Sequence, residues 1–290
     1  MIEITKDFVK EKLPQRPLDA NKGTMGTLLN ISGSYSMAGA CVLSSLAALR
    51  SGVGLVKVAL PQSIYPIVAS NVLEAVYLPI KDSDNGTLGA EAVDYLLYHG
   101  EHSDAVLLGC GLKLTEDTIS FVRDFLQAYT GVVLVDADGI NALSKNIDVL
   151  RETKATVVLT PHPKEMSRLT KKDVGYINQN REQTALDFAK EFGVILLLKG
   201  RDTVVTDGRS VYVNKTGNCG MAKGGCGDVL SGIIASLMAQ GVKPYDATLC
   251  SAYIHGRAGD IAALNLSKTA MLPSDIVACL PSVFKEFETE

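Results

Sequence analysis

The chain has no tryptophan, only four histidines, and aromatic residues at just 6% of its 290 positions. It has no run of Lys or Arg and no basic stripe. Its formal net charge is −4 and its pI about 5.7, a balance that argues against a nucleic-acid partner. An anionic small ligand would therefore need a local anion site, not a global positive field. No apolar run is long enough to span a bilayer. Met1 to Asp19 interleaves charges with prolines and lacks the apolar core of a signal peptide. The six cysteines, at 41, 110, 219, 226, 250 and 279, form no CxxC pair. They read as reduced thiols of a cytoplasmic protein, packing as small hydrophobes.

Several catalytic signatures are missing too. There is no GxxxxGK[ST], so this is no Walker-type NTPase. Neither Gly52-Val53-Gly54 nor Gly109-Cys110-Gly111 completes a GxGxxG, which leaves a dinucleotide-binding Rossmann site unsupported. There is no HExxH. His99 and His102, flanking Gly100-Glu101, read as a solvated turn.

What the chain does have is core. Hydrophobic residues make up 47% and charged residues 21%. A chain of this length buries roughly three quarters of its extended surface, so folding needs no disulfide or structural metal. Short, continuous, β-branched runs recur, and most are followed by a helical pattern. Strands are expected at Thr27 to Ile31, Leu55 to Leu60, Ala105 to Leu108, Val132 to Val135, Thr156 to Leu159 and Val194 to Leu198. Helices are expected at Ala38 to Arg50, with Gly52 as a C-cap, Glu116 to Tyr129, Gln179 to Phe192, Asp228 to Gln240, Pro244 to Leu266 and Ser274 to Phe287. Thr203 to Thr206 and Ser210 to Val213, joined by Asp207-Gly208, form a hairpin pattern. Lys81 to Gly89 reads as a polar surface loop. The rhythm predicts one α/β domain with a mainly parallel sheet buried on both faces.

The unusual residues stand at strand ends: Gly109-Cys110-Gly111, Asp136-Ala137-Asp138, His162 and Lys199-Gly200. Ligands of open α/β sheets bind at those ends, so the four clusters should share one crevice. The richest motif is Asn214 to Asp228, whose last five residues are Gly224-Gly225-Cys226-Gly227-Asp228. Glycines let backbone N–H groups turn toward a ligand, and a helix N-terminus adds partial positive charge. Such a site suits phosphoryl oxygens. A carboxylate there repels the ligand unless it has work, and the obvious work is taking a proton from a hydroxyl that attacks phosphorus. An N-cap aspartate after a flexible loop would look the same.

The other clusters divide more evenly. Lys199 and Arg201 suit phosphate, but Lys199 to Thr203 also fits a charged surface turn. Thr160-Pro161-His162-Pro163 holds one imidazole rigidly, suited to a ligand ring as well as to acid–base work. Glu165 suits magnesium, directly or through water. Asp136 and Asp138 suit a magnesium or hydroxyl contact, or an N-cap plus a turn. The small residues of Ser32 to Ala40 and of Gly109 to Gly111 leave room for close ligand approach.

Taken in order, these motifs resemble the ADP/ATP-dependent (S)-NAD(P)H-hydrate dehydratases of the ribokinase-like superfamily. The matching pieces are Gly39-Ala40 with Ala47 to Gly52, Gly109 to Gly111, Asp136 to Leu143, Leu159 to Met166, Lys199 to Thr203, and Asn218 to Gly232. The resemblance implies a three-layer α/β/α sandwich with a β-hairpin in its C-terminal half. It implies one domain over 1–290, with 1–20 as an N-terminal extension and no room for the epimerase domain of many relatives.

The implied substrates are NADH hydrate or NADPH hydrate together with ADP or ATP, with Mg2+ as cofactor, and the implied assembly is a homotetramer. Asp228 is the implied base, with Gly225, Cys226 and Gly227 as backbone donors to the transferring group. Ala40, Gly111, His162 and Asp228 match the hydrate-binding positions. Lys199, Gly200, Arg201, Asp202, Thr203 and Gly227 match the nucleotide contacts. Cys226 stands where relatives commonly carry Thr or Ser, and Lys223 where Thr is usual, so a hydroxyl is replaced by charge. Two alternatives share these motifs. One is a small-alcohol kinase of the hydroxyethylthiazole kinase type, and the other is a non-catalytic nucleotide sensor.

Overall fold

A computed structural model describes residues 2–288; the ends of the expected 1–290 span, residues 1, 289 and 290, lie outside the described residues. Ten strands form one sheet: β1 (Ile2–Glu3), β2 (Thr27–Ile31), β3 (Leu55–Pro61), β4 (Val76–Ile80), β5 (Ala105–Leu108), β6 (Val132–Val135), β7 (Thr156–Leu159), β8 (Ile195–Leu198), β9 (Thr203–Thr206) and β10 (Val211–Asn214). Their order is β1-β10-β9-β8-β7-β6-β5-β2-β3-β4. Only β9 runs against its neighbours, pairing antiparallel with β8 and with β10; every other pair is parallel.

The central strands are apolar on both sides because both sides are covered. In β5, Ala105 and Leu107 enter one hydrophobic core while Val106 and Leu108 enter the other. In β6, Leu134 enters the first and Val133 and Val135 the second. The first core is roofed by helices Ala38–Arg50, Cys226–Ala239, Pro244–Leu266 and Pro273–Lys285. The second is roofed by Val93–Glu101, Glu116–Ala128, Ala137–Leu143, Pro163–Thr170 and Arg181–Phe192. This is the expected three-layer sandwich. Each wholly buried Leu or Val contributes ~1.5–3 kcal/mol to holding the layers together.

The topology decides where a ligand can sit. From β2 the chain steps one way to β3 and β4, then crosses back to β5 on the other side of β2. Flanking connections diverge at such a switch point and open a crevice at the carboxyl ends of the strands. The ends of β5, β6, β7 and β8 carry Gly109 to Gly111, Asp136, Thr160 to His162, and Lys199.

The structure departs from the sequence reading in several places. His99-Gly100-Glu101, read as a solvated turn, closes the helix Val93–Glu101, with Gly100 buried. Residues 1–20 do more than extend the chain: Ile2–Glu3 pairs with β10, and Val9 of the helix Lys6–Lys12 is wholly buried. Strand β4 was not anticipated; Pro79 breaks its pattern, and proline is tolerated there because β4 is an edge strand. The helix expected over Gln179 to Phe192 opens at Arg181, and Gln179 ends a separate helix, Val174–Gln179. The helix expected from Asp228 opens at Cys226, with Gly225 as its N-cap. Among the described residues, no helix is long and apolar enough to cross a membrane.

Candidate active site

One cavity, of about 1260 Å³, opens along the carboxyl ends of β6, β7 and β8. Its floor is a buried ion pair. Asp136 holds the N-cap position of helix Ala137–Leu143 but makes no capping bond. Instead its Oδ1 lies 2.7 Å from Lys199 Nζ, and its Oδ2 accepts from Ser231 Oγ at 2.7 Å. Burial pulls the Asp136 carboxyl up and the Lys199 ammonium down, but their mutual attraction wins. Asp136 stays below the ordinary carboxylate range and Lys199 above the ordinary amine range. Ser231, on the helix that carries Asp228, gives no sequence signal, since a serine in an apolar helix looks like any other.

His162 does structural work as well as lining the cavity. Its Nδ1 accepts from the N–H groups of Lys164 and Glu165 at 3.1 and 3.2 Å, capping the helix Pro163–Thr170. Glu165 completes a capping box by accepting from the His162 N–H at 2.8 Å. In the neutral ring the remaining hydrogen is therefore on Nε2. Burial, aided by Lys199, lowers the His162 pKa and so favours the neutral ring. Glu165 is buried 4.0 Å from Lys199; its carboxyl is pushed up to about 7, by burial first.

Asp228 occupies the third helical position after Gly225, so the N-cap reading does not apply to it. Its carboxyl is pushed up to about 6, mainly by burial and then by the charge of Asp136, with the Cys110 thiol and Lys199 opposing. Gly225 bends the chain into the helix at φ +100°, a backbone conformation that suits glycine; a Cβ there would stand 2.8 Å from Leu43 Cδ1. The first turn of a helix leaves its N–H groups without intrahelical partners. Of the three expected donors, the Cys226 N–H is already bonded to the Lys223 carbonyl at 3.3 Å. Gly227 packs where a Cβ would come 3.3 Å from Lys199 Nζ, so the anion loop and the ion pair meet there.

The other wall is the expected nucleotide cluster. Lys199, Gly200, Arg201, Asp202, Thr203 and Gly227 all line the cavity. Arg181, which the sequence reading missed, fixes the turn from behind by donating to the Leu198 and Lys199 carbonyls at 2.9 and 3.2 Å. The loop after β10 is docked on helix Pro244–Leu266: Asn214 donates to the Ala252 carbonyl at 2.9 Å, and Asn218 to Asp260 at 3.0 Å. His255 of that helix also lines the cavity; burial pushes its pKa down to about 4, so it is neutral.

Other expectations fall elsewhere. Gly111 (φ +67°) and Ala40 are brought together, but against each other: a Cβ on Gly111 would stand 2.7 Å from Ala40 Cβ, and neither residue lines the cavity. The space at Gly111 thus admits the Met37–Ala40 turn. Asp138 is spent on the Lys113 N–H at 2.8 Å and on Asn141. Lys223 lines the cavity, but its ammonium, expected to offer charge to phosphate, donates to the Thr269 and Met271 carbonyls.

Magnesium can be tested against the donors present. Both Glu165 oxygens are already engaged, by the His162 N–H and by His162 Nε2 at 3.3 Å, so Glu165 does not fit as a direct ligand. Among the described residues, one group of three acidic or thiol side chains is close enough to share an ion: Cys110, Asp136 and Asp228. Asp136 is committed to Lys199 and Ser231, and burial keeps the Cys110 thiol protonated. Magnesium prefers oxygen donors and retains its waters, so this trio does not fit as its cage either.

A mainly parallel sheet with an antiparallel hairpin, a glycine loop opening a helix, and a carboxylate in that helix's first turn together define a ribokinase-like sandwich with a candidate anion site. A family model described as NAD(P)H-hydrate dehydratase matches residues 28–282, and the chain belongs to that family. It is 34% identical to the ADP-dependent (S)-NAD(P)H-hydrate dehydratase of Bacillus subtilis, over 98% of both chains. It is 39% identical to the bifunctional NAD(P)H-hydrate repair enzyme of Moorella thermoacetica over 99% of its own length, but spans 54% of that protein. The crystal structure of the ADP/ATP-dependent NAD(P)H-hydrate dehydratase from Bacillus subtilis, co-crystallised with ATP/Mg2+, superposes with a TM-score of 0.85 at 30% identity, covering 99% of each chain. A hydroxyethylthiazole kinase protein from Pyrococcus horikoshii shares the fold alone, at a TM-score of 0.59 and 16% identity.

Proposed function

We propose that this chain uses ADP or ATP to dehydrate the S form of NADH hydrate or NADPH hydrate. The products are NADH or NADPH, phosphate, and AMP or ADP. The observation that carries this reading is Asp228. Its carboxyl, pushed up to about 6, stands in the cavity wall one helical turn from Gly225, beside the ion pair of Asp136 and Lys199. A base poised near neutrality takes a hydroxyl proton most effectively.

Asp228 takes the proton from the hydroxyl on the hydrated nicotinamide ring. The freed oxygen attacks the terminal phosphorus of the nucleotide, and the bond from that phosphorus to the leaving nucleotide oxygen breaks. Gly225 and Gly227 N–H groups, the helix dipole and Lys199 stabilise the spread negative charge, with Cys226 holding the turn between them. The ring C–O bond then breaks with phosphate as leaving group, and loss of a proton from the adjacent ring carbon restores the dihydronicotinamide. Lys199 to Thr203 hold the nucleotide, and His162 presents its ring to the hydrate, while Ala40 and Gly111 pack against each other outside the cavity wall.

Magnesium, when bound with the nucleotide, would supply charge neutralisation on its phosphates, as in most phosphoryl transfers, and Glu165 would be the residue to hold it, through water. The resemblance further supports a homotetramer in the cytoplasm, which light scattering and cell fractionation test. The activity is tested by mixing the protein with hydrated NADH, magnesium and either nucleotide, while recording dihydronicotinamide absorbance and free phosphate. Both should rise together. A lasting phosphorylated alcohol with no phosphate release would favour a kinase, and no change with either nucleotide overturns the reading.

A further inference from the structure

The segment that presents the anion site has little regular structure of its own. Between β10 and the helix opening at Cys226 it forms one short 3-10 turn, Cys219–Met221, and it contains four glycines at 217, 220, 224 and 225. Glycine-rich backbone loses the most freedom on ordering, so its geometry has to be imposed from outside. A donor misplaced by a fraction of an ångström stabilises a transition state poorly.

Helix Pro244–Leu266 holds the first half of the loop, where Gly217 N–H and Asn218 both donate to Asp260; the glycine end is restrained by a second segment, Ser267 to Pro273. Gly220 lies against the Lys268 carbonyl so closely that a Cβ would collide with it. Gly225 lies against Pro273, whose Cγ would be 3.0 Å from a Cβ. Between these packing contacts stands a polar tie: Lys223 Nζ donates to the Thr269 carbonyl at 2.8 Å and to the Met271 carbonyl at 2.6 Å. The Lys223 carbonyl in turn accepts from the Cys226 N–H at 3.3 Å, the first residue of the catalytic helix. The supporting segment is itself anchored. Met271 N–H donates to the Ser267 carbonyl at 3.1 Å, and Leu272 N–H donates to Asp275 at 2.7 Å at the start of the next helix.

We propose that Lys223 is a positioning residue, whose ammonium clamps the glycine loop to the Ser267–Met271 segment and so fixes the N–H donors that receive the transferring phosphoryl group. Two of its three ammonium hydrogens are committed to carbonyls, so its main action is through the loop, although the residue also borders the cavity. A charged donor makes the stronger class of hydrogen bond to a carbonyl, which suits a clamp that must hold while charge moves nearby.

The test uses Lys223→Met, which keeps the aliphatic stem and loses the donors, and Lys223→Arg, which keeps them. Amide hydrogen exchange is followed by mass spectrometry, alongside steady-state kinetics and melting temperature. In the Met variant, exchange should quicken at 218–227 and 267–273 and stay unchanged over β5 to β8. Its kcat should fall about tenfold, less than the loss of a whole donor, with nucleotide KM shifting less than about threefold. Arg should restore kcat to within about threefold of the parent. Unchanged exchange in those two segments overturns the clamp, as does a rise in nucleotide KM with kcat preserved, which would make Lys223 a direct phosphate contact. Equal losses in Met and Arg variants, tracking a lowered melting temperature, would reduce it to a fold contact and also overturn the proposal. Should the Met variant not fold, Lys223→Leu, which also lacks a donor, is read the same way. The kinetic arm rests on the dehydratase reading. An inactive parent enzyme would count against that reading alone, and the exchange arm would still decide the clamp.

Discussion

Lys199 Nζ and Asp136 Oδ1 stand 2.7 Å apart beneath the cavity, an ion pair joining the ends of β6 and β8, with Asp136 1% exposed and Lys199 18%. Breaking a buried pair from one side leaves the other charge stranded, which costs about 3–5 kcal/mol. Lys199→Met should therefore destabilise the protein by about that much as well as abolish turnover. Asp136→Asn in the Lys199→Met background should return much of the stability and none of the activity. Urea denaturation of the two single variants and the double variant measures the coupling. Additive losses would show that the two groups do not depend on each other.

Asp228 makes two separable predictions because its carboxyl is pushed up to about 6. First, kcat/KM should fall about tenfold per pH unit below that value, as the base becomes protonated. Asp228→Asn should lower kcat by about 10²–10⁴-fold at neutral pH, the range of general base catalysis. A variant retaining full turnover would remove Asp228 from the reaction.

The second concerns stability. The folded pKa of Asp228 lies above that of the unfolded chain, so the native state binds the extra proton between roughly pH 4 and pH 6. Stability drawn from this group is present at low pH and is lost as pH rises through the folded value. Asp228→Asn removes that loss. Its melting temperature should match the parent's near pH 4, exceed it progressively toward pH 6, and keep the gain at pH 8. A gain that is largest at pH 4 would reverse the sign assigned here.

Two adjacent glycines should respond differently to the same methyl group. At Gly225, φ is +100° and a Cβ would press on Leu43 and Pro273; at Gly224 a Cβ would meet nothing within 4 Å. Gly225→Ala should cost about 1–3 kcal/mol of backbone strain and most of the activity. Gly224→Ala should change stability by no more than about 0.5 kcal/mol. Thermal melts of both variants, with turnover alongside, check the contrast; equal effects would mean the loop has no fixed shape to protect.

The strands from β5 to β8 were legible because each is a short apolar run buried on both faces, ended by residues that cannot be there for packing. Asp136, His162 and Lys199 announced themselves by standing where a β-branched run stops, and the topology then brought those ends together. Edge strands β1 and β4 escaped because one is two residues long and the other contains Pro79. Ser231, Arg181 and His255 escaped for a different reason. Each lies inside a helix whose pattern is satisfied without it, and its role exists only once distant strand ends have been placed beside it. Gly111 was visible but its use was not: a glycine at a strand end looks alike whether it admits a ligand or, as here, the turn carrying Ala40.

His162 separates fold from chemistry most sharply, because one ring nitrogen is committed to the backbone. Nδ1 caps the helix Pro163–Thr170, and removing an N-cap acceptor costs about 1 kcal/mol. His162→Asn keeps a capping acceptor while His162→Ala does not, so the Asn variant should be the more stable by about that margin. Both lose the ring that borders the cavity, so both should raise the KM for hydrated NADH by similar factors. Burial and then Lys199 lower the pKa of this ring, which favours its neutral form. Asp228, pushed up to about 6, and Glu165, pushed up to about 7, both titrate in this range, and His162→Asn should leave the limb near pH 6 in place. Measuring kcat/KM from pH 5 to pH 8 for this variant decides the matter: a limb that vanishes with His162 would move the titrating base from Asp228 to the histidine.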